Sequence, residues 1–224
     1  MLKATLAIAA KDLRLSLAGA QGLVQSMLLG LLLIFIFSLS RNPGELTPPL
    51  AASAVFWLAS CFGQVLIFNS LYSIEEESGA RLGLVMSPAP LQAVWLGKAL
   101  AGFVLLFCCQ MVFAPAVAAF LGQRLLGSAL AGLAVVFCVD WGVAALGSLL
   151  GALSAGRGSR ESLLTVILFP LLIPALLAGI RLLEGVLSGD AGGARVWTGT
   201  ALAFDAVFTA AALVLFPFLY TGEE

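Results

Sequence analysis

No histidine occurs anywhere in the 224 residues. The chain therefore lacks the usual general base, the commonest metal ligand and the side chain that titrates near neutral pH. Serine-histidine and cysteine-histidine catalysis cannot be assembled from it alone. Charge is scarce too: 11 Lys and Arg stand against 12 Asp and Glu, 10% of all residues, where a soluble domain carries about a quarter. The net charge of −1 offers no field to draw in nucleic acid. Only four cysteines are present, Cys61, Cys108, Cys109 and Cys138. All lie in apolar runs without a CxxC spacing and read as small buried hydrophobes. The motifs G-x-x-x-x-G-K-[ST], G-x-S-x-G and H-E-x-x-H are missing, as is a regular arginine array. That excludes a P-loop for ATP, a nucleophile elbow, a zinc-protease helix and a voltage sensor.

What the chain has is hydrocarbon. Hydrophobic residues make up 61% and the mean hydropathy is +1.09. A water-soluble globule and a disordered chain are both ruled out. The composition predicts an all-α integral membrane protein.

A spanning helix needs about 20 mainly apolar residues. Six stretches qualify, at approximately 21–39, 50–70, 95–121, 125–153, 163–183 and 196–220. The first follows a basic segment, and Ser38-Leu39-Ser40 mimics a cleavage site. Its apolar run is too long for a signal peptide, so it reads as an uncleaved anchor. With six spans both termini face one side. That side would carry Lys3, Lys11, Arg14, Arg81, Lys98, Arg157 and Arg160, against Arg41, Arg124, Arg181 and Arg195 opposite. Seven cations against four predict cytoplasmic termini. Trp95, Trp197, Tyr72 and Tyr220 fall near span ends and read as headgroup anchors. The connections expected on the far side are short, Ser40–Pro49, Gly122–Arg124 and Glu184–Arg195. No extracytoplasmic domain fits in them, and residues 1–224 read as one transmembrane domain.

Several features stand out from this hydrocarbon background. Leu2, Leu6, Leu13 and Leu17 share one helical face and Lys3, Lys11 and Arg14 a neighbouring one, with Asp12 between. Such a helix lies in the interface, leucines in the acyl boundary of the lipid and cations at the phosphates. The loop expected over 73–94 carries Glu75, Glu76 and Glu77, then Gly79, a short apolar run of Leu82, Leu84, Val85 and Met86, and a stop at Pro88. Acids at the start of a short helix suit its dipole. The exposed apolar turn beside them predicts docking of a cytoplasmic partner. Asp140 and Asp205 lie inside spans, at about 2.5–3.5 kcal/mol each on insertion scales. They read either as a proton relay or substrate contact, or as locally bonded structural acids. Gly147-x-x-x-Gly151-x-x-x-Ala155 gives a small-residue packing face. Pro170 and Pro174 predict a kinked or broken fifth span.

In this order the features resemble the CcmB family, the heme exporter B membrane subunits of cytochrome c maturation ABC transporters. The resemblance runs over most of the chain. It rests on Lys11-Asp12-Leu13-Arg14, on Glu75-Glu76-Glu77-Ser78-Gly79 with Met86-Ser87-Pro88 and Gly97-Lys98, and on Ala145-Leu146-Gly147-Ser148-Leu149-Leu150-Gly151. It continues through Arg157 to Phe169-Pro170-Leu171-Leu172-Ile173-Pro174.

The resemblance implies a type-2-like ABC permease, with the N-terminal segment as interface helix and the Glu75–Pro88 stretch as coupling helix. It implies a separate ATP-binding subunit (CcmA-like) that holds the ATP. The further partners it implies are a CcmC-like haem-handling subunit, a small CcmD-like subunit and a periplasmic haem chaperone, in the bacterial inner membrane. A two-fold ATPase calls for a second membrane half, another copy or a different chain. Haem is then the handled substrate, either exported or released on its chaperone. Iron is normally ligated by His, Met, Cys or Tyr, and a chain without histidine leaves that ligand to a partner. Two other readings stand beside this one. One is a scaffold that relays ATPase motion without passing haem, the other a proton-coupled secondary transporter using Asp140 and Asp205.

Overall fold

The computed structural model describes residues 1–41, 46–123, 129–154, 161–190 and 192–221. Among the described residues eight helices follow one another: α1 (Leu2–Gly19), α2 (Gln21–Leu39), α3 (Pro49–Glu77), α4 (Ala80–Val85), α5 (Leu91–Leu121), α6 (Ala129–Ser154), α7 (Glu161–Ser188) and α8 (Ala194–Thr221). Six of them, α2, α3 and α5 to α8, are long and apolar enough to cross a membrane. Arg124, Arg157 and Arg160, counted in the charge bias, lie outside the described residues.

The punctuation between helices is local chemistry. Proline sits at the first turn of α3, where its missing N–H is one of the orphans anyway. α1 is separated from α2 by Ala20, a left-handed residue at φ 51°. That conformation interrupts the helical ladder and gives the chain its corner. Gly79 adopts φ 66° between α3 and α4, a position where a Cβ would collide with its own carbonyl. Pro90 then leads into α5.

Most spans outrun their expected limits. At 1.5 Å per residue, the 29 residues of α3 reach about 43 Å, against a hydrocarbon core of about 30 Å. The connection expected from Ser73 to Val94 is therefore mostly helix. No breaker interrupts the chain between Ser73 and Gly79, so α3 continues through all three glutamates. α5 likewise starts at Leu91, as soon as Pro90 permits. Of the kink or break expected in the fifth span, α7 shows no break: the helix continues through Pro170 and Pro174.

α3 is the axis of the bundle: 61% of its span window is enclosed, against 22% for α2 and α8. It packs against α2, α5, α6 and α7, while α8 lies on α6 and α7. Of the small-residue face expected on α6, Gly147 and Gly151 pack closely, while Ala155 lies outside the described residues. Gly147 lies under Gln64 and Phe68, and Gly151 under the Tyr72 ring, each too close for a side chain. That approach lets Tyr72 Oη donate to the Ser148 carbonyl at 2.7 Å. α1 lies against α5. An added Cβ on Gly97 would come 2.9 Å from Ile8 and from the Thr5 carbonyl.

Candidate functional site

At the end of the bundle that holds both termini, four charges meet. α1 contributes Lys11 and Asp12, the last turn of α3 Glu75, and the second turn of α5 Lys98. Each lysine touches both carboxylates. Lys11 Nζ lies 2.9 Å from Asp12 Oδ1 and hydrogen-bonds Glu75 Oε1. Lys98 Nζ lies 2.8 Å from Glu75 Oε2 and 3.4 Å from Asp12 Oδ2. The square is neutral, which is what makes its burial tolerable. An isolated charge would meet a desolvation penalty of several kcal/mol, and here every charge has two opposite neighbours.

Lys98 is fully buried. It also donates to the Leu71 carbonyl at 3.4 Å and lies 4.4 Å from the centre of the Tyr72 ring. Tyr220, from the last turn of α8, donates its hydroxyl to Glu75 Oε2 at 3.1 Å. Four helices thus end on one carboxylate pair. Partial burial of Lys11 alone would lower its pKa. The hydrogen bonds to Glu75 and Asp12 outweigh it and hold the ammonium above its ordinary value of 10.5.

The residues predicted to dock a partner separate into two groups. Glu75 points inward and is 3% exposed, so it belongs to the square and not to a docking face. Glu76 and Glu77 are exposed, and Glu76 pairs with Arg81 at 3.4 Å. The three acids close α3 instead of opening the short helix, an end where the dipole disfavours them. The lysines answer for Glu75 and Arg81 for Glu76. On α4, Leu82 and Met86 face outward at 68% and 84% exposure. Leu84 and Val85 turn back onto the core. Pro88 is exposed beyond the turn.

Arg81 reaches past its own helix. Its Nη2 and Nε donate to the Tyr220 carbonyl at 2.8 and 3.3 Å, and its guanidinium lies 5.3 Å from the Tyr220 ring centre.

The N-terminal helix partly follows its expected pattern. Leu2, Leu6, Leu15 and Leu17 face outward, as do Lys3 and Arg14. Leu13 packs against the core, and Lys11 serves the square instead of facing phosphates. The face turned to the bundle is Thr5, Ile8, Ala9, Asp12 and Ser16, more polar than the face turned away. Aromatic anchoring is likewise corrected for three of four residues. Tyr72, Trp95 and Tyr220 are buried within the bundle, and the Trp95 indole N–H donates to the Ala145 carbonyl at 3.4 Å.

Asp140 and Asp205 are not brought together. Asp140 is fully buried at mid-span. Its Oδ1 accepts from Gln110 Nε2 at 2.9 Å, and the same amide donates to Ser60 Oγ at 3.2 Å. Its Oδ2 has no hydrogen-bond partner among the described residues. Asp205 on α8 lies against Gly142 of α6 and is half-buried. An apolar cavity of about 260 Å³ between α3, α5, α6 and α7 reaches Gln110 and is otherwise lined by side chains such as Phe56, Val136 and Leu183. Among the described residues no group of three or more His, Cys, Asp or Glu side chains could hold a metal ion.

Three members of the square, Lys11, Asp12 and Glu75, were candidates in the sequence for other roles. Lys98 reads there only as one of the orienting cations and Tyr220 only as a headgroup anchor. The sequence signal for Lys98 is an ammonium placed after Trp95 inside an apolar run, which demands a partner at that depth.

The family model described as CcmB protein matches residues 3–222. The chain belongs to the CcmB family. The protein named Heme exporter protein B of Pseudomonas aeruginosa is 27% identical over 212 residues, covering 93% of this chain and 91% of that one. Those of the same name from Rhodobacter capsulatus and Paracoccus denitrificans are also 27% identical, each covering 95% of this chain and 94% of theirs. With six apolar helices of spanning length, this CcmB-family chain is an all-α, multi-pass membrane permease.

Proposed function

We propose that this chain is the permease subunit of an ABC complex that exports or delivers haem for c-type cytochrome assembly, driven by a separate ATP-binding subunit. The observation that carries this reading is the family match over 3–222, joined by relatives named Heme exporter protein B along nearly their whole length. Residues 1–224 act as one transmembrane domain in the bacterial inner membrane, with both termini cytoplasmic. A CcmC-like and a CcmD-like subunit, a periplasmic haem chaperone and a second membrane half complete the assembly. ATP binds the partner, and any histidine ligating haem iron belongs to a partner as well.

Within this reading α4 is the contact with the ATPase. Leu82 and Met86 supply an apolar knob, and Glu76 and Glu77 supply an acidic rim. A rim of charge around a small apolar centre suits a cytoplasmic protein surface. The test is co-purification of the ATP-binding subunit with a chain carrying Leu82→Asp and Met86→Asp. Loss of the ATPase is expected; normal recovery would overturn the contact. Glu75 and Leu84 are left intact in this test because both serve the interior. The alternative of proton-coupled transport draws on Asp140, whose second oxygen has no hydrogen-bond partner among the described residues. Haem movement that needs no ATP and collapses with an uncoupler would favour it. ATP-dependent chaperone release without haem passing this chain would favour the scaffold.

A further inference from the structure

Tyr220 stands at a junction. It is the penultimate residue of α8 (Ala194–Thr221), where the last carbonyls of a helix have no partner within it. Its own carbonyl is taken by two nitrogens of one guanidinium, Arg81 Nη2 at 2.8 Å and Nε at 3.3 Å. A cation at a helix C-terminus is favoured by the dipole, and charged donors make the stronger bonds. Arg81 therefore caps α8 from another helix, 139 residues away in the chain. On its other side, Tyr220 donates its hydroxyl to Glu75 Oε2 at 3.1 Å. Glu75 in turn is held by Lys98 of α5 and Lys11 of α1.

We propose that Arg81 and Tyr220 are positioning residues that pass a displacement of α4 to α8 and, through Glu75, to the interface helix α1. This rests on α4 being the ATPase contact. α4 has only six residues and is set off from the spans by Gly79 on one side and Pro88 and Pro90 on the other. A push on so short a segment reaches α3 through the two-residue link Ser78-Gly79 and the core through Leu84 and Val85, but it reaches the end of α8 through what Arg81 grips. Arg81 grips the end of α8, with its cation over the Tyr220 ring at 5.3 Å. The ring itself stacks on Phe216, one turn back, at 5.0 Å between centroids. A planar guanidinium that bonds a carbonyl with two donors and covers a ring holds direction as well as distance, which a lysine cannot.

The relay has two separable arms. Arg81→Gln cuts the link from α4 to α8, upstream of everything else. Tyr220→Phe keeps the carbonyl, the ring and its stacking, and removes only the hydroxyl that reaches Glu75. Spin labels on exposed positions read each arm in the complex with its ATPase: Val207 on α8 and Leu6 on α1, each paired with Leu32 on α2. The measurement uses vanadate-trapped and nucleotide-free complexes of a chain whose four cysteines are replaced by alanine.

With unmodified Arg81 and Tyr220, nucleotide is expected to change both distances. Arg81→Gln should abolish both changes. Tyr220→Phe should abolish the change at Leu6 and keep that at Val207. Arg81→Lys should fall between the two. Nucleotide-driven changes that survive Arg81→Gln at full size overturn the proposal, as does a Tyr220→Phe variant indistinguishable from Arg81→Gln. If the ATPase fails to co-purify even with the unsubstituted chain, the reading of α4 falls first and takes the relay with it. Co-purification with Arg81→Gln and loss of both changes support the relay alone.

Discussion

The bundle keeps its buried carboxylates in two different settings. At the termini end, Asp12 and Glu75 face two ammonium groups, and every charge is answered twice. At mid-span, Asp140 faces a neutral amide on one oxygen and, among the described residues, no hydrogen-bond partner on the other. The first arrangement joins α1, α3 and α5 directly and α8 through a hydroxyl. The second joins α5 and α6, with Ser60 of α3 at the edge. A charge square is demanding, because removing one member leaves an opposite charge stranded where water does not reach. An amide contact is more forgiving, since replacing the acid strands no ion. The difference separates a structural lock from a local polar contact.

The sharpest break in the comparison is Lys98→Met. It strips Glu75 and Asp12 of their fully buried partner, and a loss of about 3–5 kcal/mol is expected, as for a buried pair broken from one side. Thermal unfolding in detergent micelles reads it. Adding Glu75→Gln should return part of the loss, because the stranded charge is then gone, and a double-mutant cycle isolates that term. Two independent losses that simply add would mean the square is not a unit.

Gly97→Ala is expected to come next, at about 1–3 kcal/mol for overpacking. It changes no charge. Its Cβ would press on Ile8 and on the Thr5 carbonyl and lift α1, drawing Asp12 from Lys98. Increased protease cleavage within residues 1–19 would accompany the loss. An unchanged cleavage pattern would show that α1 sits on α5 more loosely than the contact implies.

Asp140→Asn is expected to leave stability within about 1 kcal/mol, in the range of substitutions that strand nothing. The asparagine carbonyl can still accept from Gln110, and a neutral amide is cheaper than an acid to hold in hydrocarbon. A loss as large as that of Lys98→Met would erase the distinction between the two settings.

The smallest effect concerns pH. The ammonium of Lys11 has a folded pKa above its ordinary 10.5. Its contribution is therefore fully present below about 10.5 and lost as pH rises through the higher folded value. Stability attributable to Lys11 should be flat from pH 7 to 9 and decline only in strong alkali. Lys11→Gln should remove that alkaline decline. A Lys11-dependent change near neutrality would contradict it.

The six spans were legible because hydrocarbon length is a one-dimensional property. α3, α5 and α7 exceed their expected limits at one or both ends, because the helical ladder continues beyond the hydrocarbon length until a proline, a glycine or a turn stops it. The short α4 was legible only at its end, where Pro88 acts on its neighbours; the sequence puts its start at the glutamates, whereas it follows Gly79. The charge square was not legible. Lys11 and Lys98 read as flanking cations that set orientation, and the three adjacent glutamates read as one patch. Successive residues of a helix point 100° apart, so Glu75 turns inward while Glu76 and Glu77 stay out. That rotation cannot be fixed without knowing what lies beside α3. Tyr72 and Tyr220 misled for the same reason: a tyrosine near a span end suits headgroups and buried carboxylates equally.

The 86 positions between Asp12 and Lys98 also set a timetable. In a chain made from N- to C-terminus α1 precedes α5, so the fully buried lysine that pairs with Asp12 arrives well after it. Until then Lys11 and Asp12 have each other and water, and α1 has reason to stay at the surface. α1, made before both of its partner helices, is thus fixed only after them, and its docking reports that α3 and α5 have both been inserted.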